Sequence, residues 1–411
     1  MNDICQEALP YRALLQSISR FHLDTGLGVR LRIGIDVSPI YMSVSGISNY
    51  VRNLLLGLAA VGKEHSFVLY TNRPVNIDPP LPANFTVRMV RLPYPKFQAW
   101  FQLSLPIRLH RDGINVFFGS FHRLPLLSAI PSVLTIHDLS GLLLKDYHLQ
   151  SVVLRNSLIP LFVRKASRIL AVSQFTKDEV IKRFPQAAGK VVVVHEAPSA
   201  ELTREVDQSH LDDVRKILSL PQRYILFLGT LEPRKNLPRL LTAYASIAHR
   251  IPHDLVLAGR IGWKSGPLFE LLKSEDLRSR IHLTGFVEVQ HLSALLTMAD
   301  LMAYPSLYEG FGLPVVEAMA CGTPVLTSSV SSLPEAAGGA AILADPYSVE
   351  DIAAKLLELS VDAGLRAELS KKGLTRVSEL SWEQTARMTL QVCSRAAGGN
   401  SDPQKQNRKV R

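Results

Sequence analysis

The chain reads as an α/β protein of two doubly wound domains. Three observations predict this: its length, its composition, and an alternation of short β-branched runs with helical periodicity that breaks once and restarts. At 411 residues it exceeds the about 250 residues at which single cores stop growing, so two domains are expected. Hydrophobic residues make up 47% and charged residues 20% of the chain, which allows sizeable cores and excludes a disordered or collagen-like protein.

The first thirty residues read as a loose helical extension, and residues 31–36 (LRIGID) begin the run of strands. After them come a polar loop at 43–49, a helical pattern at 50–61 and a second strand at 66–70, which together make a βαβ unit. Further strand-like runs fall at 86–91, 116–119, 132–137, 168–172 and 191–195. A polar, charged stretch near 199–208 interrupts the pattern and marks the linker. The alternation then restarts at 223–229 and continues with strands at 254–259, 281–285, 301–304, 324–327 and 341–343. The expected division is an extension at 1–30, a first Rossmann-like domain at 31–205, a second at 206–396, and a disordered basic tail at 397–411. The helical pattern at 382–396 follows the last strand, and the sequence leaves open whether it crosses back to the first domain.

The formal net charge is +10, so the surface should attract anions: nucleic acid, acidic lipid or phosphorylated substrates. Three cysteines, Cys5, Cys321 and Cys393, have no spacing that suggests a disulfide framework or a zinc site, which fits a reducing cytoplasm. No stretch reaches the roughly 18 apolar residues of a membrane span, and Asp3 and Glu7 stand where a secretory signal would be basic then apolar.

The most informative stretch runs Tyr304-Pro-Ser-Leu-Tyr-Glu309-Gly-Phe-Gly-Leu-Pro314-Val-Val-Glu317. It joins a strand to a helix. Pro314 suits a first helical turn, Gly310 and Gly312 allow close approach of a ligand, and the amides around Phe311 and Leu313 make an anion site. Glu317 then falls near a ribose attached to that phosphate, where a carboxylate accepts from two vicinal hydroxyls, and Glu309 faces the sugar. A lone glutamate at either place could equally serve only to favour the helix N-terminus. A second constellation, Gly229-Thr-Leu-Glu-Pro-Arg234-Lys235-Asn236, also follows a strand. Arg234 can grip a diphosphate bidentately while Lys235 adds a compact charge, and both stabilise a negative leaving group.

These residues, together with Ser45-Gly46-Ile in the first loop, resemble the retaining glycosyltransferases of family 4, of GT-B fold, over about residues 31–396. The resemblance implies that Arg234 and Lys235 bind the donor phosphates, Glu317 the ribose and Glu309 the sugar hydroxyls near the reacting carbon. Gly46 and Gly229 would let backbone approach the donor. It also implies front-side attack without a metal, and no Asp-x-Asp occurs in the chain. His137, at a strand end, corresponds to a histidine that contacts the donor sugar; alternatively it caps the strand. Asp138 could hold an acceptor hydroxyl or cap the next turn. Ser173 is explained as a helix N-cap without any ligand. Gly259, Gly285, Phe286 and Val287 fall where the nucleobase would rest, or are turn residues. Ser48-Asn49 departs from the family, in which a second glycine and a basic residue are usual.

The expected function is transfer of a hexose, with mannose from GDP-mannose the expected sugar and donor, onto a polysaccharide or lipid-linked saccharide. No cofactor is expected beyond the nucleotide-sugar co-substrate. The alternatives are a sugar-nucleotide epimerase of the same fold and a non-catalytic nucleotide-sugar binder. Aromatics are only 7% of the chain, which argues against a nucleic-acid partner. Basic and apolar residues alternate at 96–111 and 153–165, which suits an anionic membrane surface as well as ordinary core-facing helices. The expected location is the cytoplasm, with peripheral attachment to the inner face of the plasma membrane as one hypothesis.

Overall fold

The computed structural model describes residues 30–41, 46–90, 99–204, 206–266 and 278–398. The extension at 1–29, Ser45, the start of the 96–111 segment and the basic tail from 399 lie outside the described residues.

The first sheet contains β1 (Arg32–Asp36), β2 (Ser66–Thr71), β3 (Phe85–Met89), β4 (Val116–Gly119), β5 (Ser132–Ile136), β6 (Arg168–Ala171) and β7 (Val191–Val193). Its order is β3-β2-β1-β4-β5-β6-β7, parallel throughout. The second contains β8 (Tyr224–Leu228), β9 (Asp254–Ala258), β10 (Ile281–Gly285), β11 (Leu301–Tyr304), β12 (Val325–Ser328) and β13 (Ile342–Ala344). Its order is β10-β9-β8-β11-β12-β13, again parallel. Both orders run outward from a central first strand and reverse direction, as doubly wound sheets do. The interior strands β5, β8 and β11 are buried on both faces because helices cover both sides.

Strand bounds differ from the sequence pattern by one or two residues at about half of the ends, in both directions, as fraying element ends do. The first helix, Gly46–Val61, starts four residues earlier than its periodicity suggested. Ser48 is buried in its first turns, so the polar look of residues 46–49 concealed a helix start.

The last helix, Trp382–Ala397, crosses back to the first domain. Trp382, Ala386, Leu390 and Cys393 share one core with Ile33, Tyr50, Leu54 and Phe118. A side chain at Gly57 would place its Cβ 2.4 Å from the Trp382 carbonyl, so the two helices cross backbone to backbone. By packing this helix belongs to the first sheet, although its position along the chain puts it with residues 206–396. Ala397, assigned on sequence to the tail, is its final residue.

Candidate active site

The carboxyl edges of the two sheets face each other, and the loops that leave them meet. From the second sheet, β11 runs into Pro305–Gly312 and then the helix Leu313–Ala320. Gly312 caps that helix at φ +107°, a left-handed conformation that suits glycine alone, and Pro314 lies in its first turn. Beside it, β8 runs into a short turn, Pro233–Lys235, closed by Asn236 at φ +63°. Asn236 Nδ2 donates to the Pro305 and Pro346 carbonyls, and the Leu307 amide donates to the Arg234 carbonyl at 2.9 Å, so the two loops are sewn into one surface.

On that surface Glu309 is the hub. Its Oε1 accepts from Lys235 Nζ at 2.6 Å, Ser306 Oγ at 2.7 Å and Tyr304 OH at 2.9 Å; Oε2 accepts from Arg234 Nη1 at 2.8 Å. Arg234 also reaches Glu232 at 2.7 Å and the Tyr308 carbonyl at 2.5 Å. Lys235 also donates to Tyr304 OH. Burial by itself opposes ionisation of Glu309, but Arg234 and Lys235 outweigh it and hold the carboxyl down at about 2. Burial likewise opposes the Arg234 charge, and Glu309, Glu232 and Asp138 reverse that effect and keep it protonated. Burial and the Arg234 charge push Lys235 below its ordinary value. Glu309, expected at the sugar, and the two cations, expected at the phosphates, are joined in one network.

Glu317 differs. It lies in the second turn of the helix, part-buried, and its carboxylate makes no hydrogen bond or ion pair among the described residues. Burial, reinforced by Glu196 across the cleft, pushes it up to about 7.

The first domain supplies the opposite wall. Gly310 lies so close to it that an added Cβ would be 1.7 Å from the His137 carbonyl. The Gly310 carbonyl accepts from Ser173 Oγ at 2.6 Å and Thr176 Oγ1 at 3.0 Å. Ser173 is also the N-cap of the helix Gln174–Arg183. His137 itself is buried, with its ring nitrogens against the Ser120 carbonyl at 2.9 Å and Glu196 at 3.2 Å. Both partners are acceptors inside the protein, so a sugar contact through this ring requires one of them to be released. Asp138 Oδ1 takes the Ser140 amide and hydroxyl, which is the turn-capping alternative. Gly46 opens the first helix, and an added Cβ would lie 4.0 Å from Leu313 of the other domain.

The remaining residues divide. Gly229 (φ +150°) and Gly259 (φ +148°) lie so close that a Cβ on Gly259 would be 1.9 Å from the Gly229 carbonyl, so close packing of two strand ends requires glycine there. Gly285 has φ +69° with open space around it. Phe286 is exposed under the Arg260 guanidinium, 4.4 Å from the ring centre, and offers a face for a base. The Val287 side chain belongs to the core of the second sheet, leaving only its backbone available. Phe311 and Leu313 pack with Val172, Val316 and Ala336 in an apolar cluster that joins the domains.

Two histidines of the site carried no sequence signal. His122, buried and pushed down by burial to about 4, accepts the His137 amide at 2.8 Å and the Asp138 amide at 3.3 Å, orienting that corner. His148 is buried with neither ring nitrogen hydrogen-bonded among the described residues, and its ring lies 6.0 Å from Trp263 of the second domain. Trp263 Nε1 donates to the Tyr147 carbonyl at 2.6 Å, and Lys264 to that of Asp146, so this edge of the cleft is bridged. Among the described residues, no group of three or more His, Cys, Asp or Glu could hold a metal, and no helix is long and apolar enough to cross a membrane.

Two parallel-sheet domains whose facing loops carry this network define a glycosyltransferase of GT-B type. The family model described as Glycosyltransferase Family 4 matches residues 44–197, and that described as Glycosyl transferases group 1 matches residues 212–376. The chain is similar to the O-antigen chain mannosyltransferase B of Escherichia coli, at 34% identity over 74% of this chain and 78% of that protein. It is also similar to the serotype-specific mannosyltransferase WbdA of Escherichia coli, at 32% identity over 64% of this chain, but spans only 33% of that longer protein. Among solved structures, sucrose-phosphate synthase from Thermosynechococcus elongatus superposes with a TM-score of 0.70 over 88% of this chain and 98% of that one, at 21% identity, which speaks for the fold alone. The chain belongs to glycosyltransferase family 4. Neither the epimerase nor the non-catalytic alternative finds support in these relatives.

Proposed function

We propose that the protein transfers a mannosyl group from GDP-mannose to a polysaccharide or lipid-linked saccharide, retaining anomeric configuration and using no metal. The observation that carries the reading is the pairing of two cations, the part-buried Arg234 and the buried Lys235, with a cleft carboxylate, Glu317, that is unpaired among the described residues. Mannose and the polysaccharide acceptor are supported by the likeness to the O-antigen mannosyltransferase.

In this reading the donor diphosphate lies at the start of the helix Leu313–Ala320, against Arg234 and Lys235. The bond between the sugar's anomeric carbon and the phosphate oxygen breaks, and its electron pair passes to the diphosphate. The two cations stabilise that charge where a metal would otherwise serve. The acceptor hydroxyl oxygen attacks from the same face, and its proton passes to the departing phosphate oxygen. Glu309 orients the sugar and keeps both cations in place.

The acceptor enters from the first domain. Leu103, Ile107, Leu127, Leu154 and Leu161 of that domain are exposed, with Arg111 and Arg164 beside them. Gln102 ties the loop of Leu127 to the helical segment of Leu103 through Leu124 and Leu126. Apolar side chains flanked by cations suit the anionic inner face of the plasma membrane. The protein is expected to float with anionic liposomes and not with neutral ones; recovery only in the pellet from both rejects membrane attachment.

The donor test is thermal protection by GDP-, UDP- and ADP-sugars, with Lys235→Ala and Glu317→Gln as controls. GDP-mannose is expected to raise the midpoint of the wild type alone, and protection by a UDP-sugar instead overturns the donor. Ribose hydroxyls donate to Glu317, so binding favours its ionised form and affinity rises with pH. With Glu317 at about 7 in the free protein, the donor dissociation constant is expected to rise about tenfold from pH 8 to pH 6. Glu317→Gln should show no such dependence; an equal slope in both proteins removes Glu317 from the ribose.

A further inference from the structure

The helix Gln174–Arg183 begins at the carboxyl end of β6 in the first domain, and its leading amides point at the second domain. A helix start leaves such amides without intrahelical partners. Ser173 Oγ satisfies the Thr176 amide at 3.0 Å. The other two are satisfied from across the cleft: Glu335 Oε1 accepts the Gln174 amide at 2.7 Å and Oε2 the Phe175 amide at 3.2 Å. His195, two residues beyond β7, adds its Nε2 to Glu335 Oε1 at 2.7 Å. One carboxylate of the second domain therefore caps a helix of the first, with favourable charge for that helix end.

Glu335 is anchored to the catalytic loop. It belongs to the short helix Leu333–Ala337, whose cap residue Ser332 donates through Oγ to the Glu309 carbonyl at 2.9 Å. The Glu309 amide donates to Ser331 Oγ at 3.1 Å. Behind it, the buried Arg376 holds the Glu335 and Ala336 carbonyls at 3.0 and 3.1 Å. The same first-domain helix grips the catalytic loop from its own side, through Ser173 and Thr176 on the Gly310 carbonyl.

We infer that Glu335 is the closure latch of the enzyme: a positioning residue that docks the helix Gln174–Arg183 onto the second domain and so holds the Gly310 loop, with Glu309, against His137. When the latch opens, the competent arrangement is a smaller fraction of the molecules, and apparent donor affinity falls by that fraction. Glu335 touches neither donor nor acceptor in this account. The inference rests on glycosyl transfer across a closed cleft and is independent of which sugar nucleotide serves.

The test uses the whole chain and two variants, one on each side of the contact. Glu335→Ala removes the cap from the second domain. Gln174→Pro deletes one capped amide from the first, at a first helical position that accepts proline, after a residue already in extended conformation. Small-angle scattering of the ligand-free proteins is expected to show a larger radius of gyration in both variants than in the wild type. With the established donor, kcat/KM is expected to fall about thirtyfold in Glu335→Ala and about fivefold in Gln174→Pro. Glu335→Gln, which keeps one acceptor, should fall between the wild type and Glu335→Ala. Wild-type scattering together with wild-type kcat/KM in both variants overturns the latch. If the wild type transfers nothing from GDP-mannose, the donor reading fails, and the scattering comparison still decides the latch.

Discussion

Replacing Glu309 with glutamine is expected to cripple transfer and also to weaken the fold. Many active-site residues are held under strain, and their removal stabilises the protein. Glu309 is placed differently, because it balances two buried cations, Arg234 and Lys235, at 2.8 and 2.6 Å. Breaking a buried pair by removing one partner costs about 3–5 kcal/mol, since the surviving charge is left uncompensated. The glutamine amide makes matters worse, because its NH2 group must face one of the cations. The pH dependence has a definite sign. Glu309 is held at about 2 against an ordinary 4.5, so its stabilisation is fully present above about pH 4.5 and is lost as pH falls towards 2. The shift corresponds to roughly 3 kcal/mol. Urea unfolding at pH 7.5 should therefore show a lower midpoint in Glu309→Gln, and by pH 3 that difference should have shrunk to roughly two-fifths of its size. Transfer should fall by about three orders of magnitude, since both orientation of the sugar and placement of the cations are lost. Equal midpoints at pH 7.5 would contradict the network as described.

The same residue shows how far the sequence could be read. The loop that carries Glu309 was legible because Gly310, Gly312 and Pro314 punctuate a strand-to-helix junction, and each does so by a local backbone constraint. Strands such as 116–119 and 301–304 were legible for a similar reason, being short apolar runs between helical patterns. The ion pairs that Glu309 makes are not local. Arg234 and Lys235 lie 75 and 74 positions away, and no spacing rule tells whether two motifs will hold a ligand between them or hold each other. His122, His148, Glu196 and Glu335 were missed for the same reason, since each acts on a residue brought near only by the sheets. The last helix, Trp382–Ala397, shows the limit at the domain level. Its amphipathic period predicts a buried face, but only the fold says which domain covers it.

Arg234→Lys, which keeps the charge, is expected to cost nearly as much activity as loss of Glu309. The guanidinium spans three acceptors that a lysine ammonium cannot reach at once: Glu232 at 2.7 Å, Glu309 at 2.8 Å and the Tyr308 carbonyl at 2.5 Å. Its Nε is buried and has no hydrogen-bond partner among the described residues. These contacts use three of the five guanidinium donors and leave Nε and one hydrogen of Nη2 over, whereas an ammonium on a flexible stem has no donor to spare for the diphosphate. Negative charge grows on the phosphate oxygen as the glycosidic bond breaks, so the missing donor matters most in the transition state. The variant should lose about two to three orders of magnitude in kcat, with a smaller change in KM. Inhibition by the free nucleoside diphosphate gives a second reading, because that product carries the charge of the departing group. Its inhibition constant should rise about tenfold in Arg234→Lys, equivalent to about 1.4 kcal/mol, while Phe286→Ala, at the face assigned to the base, should weaken inhibition without the fall in kcat. Should Arg234→Lys raise KM alone and leave kcat untouched, Arg234 holds the donor equally in both states, and the stabilisation of the leaving group must be assigned to Lys235.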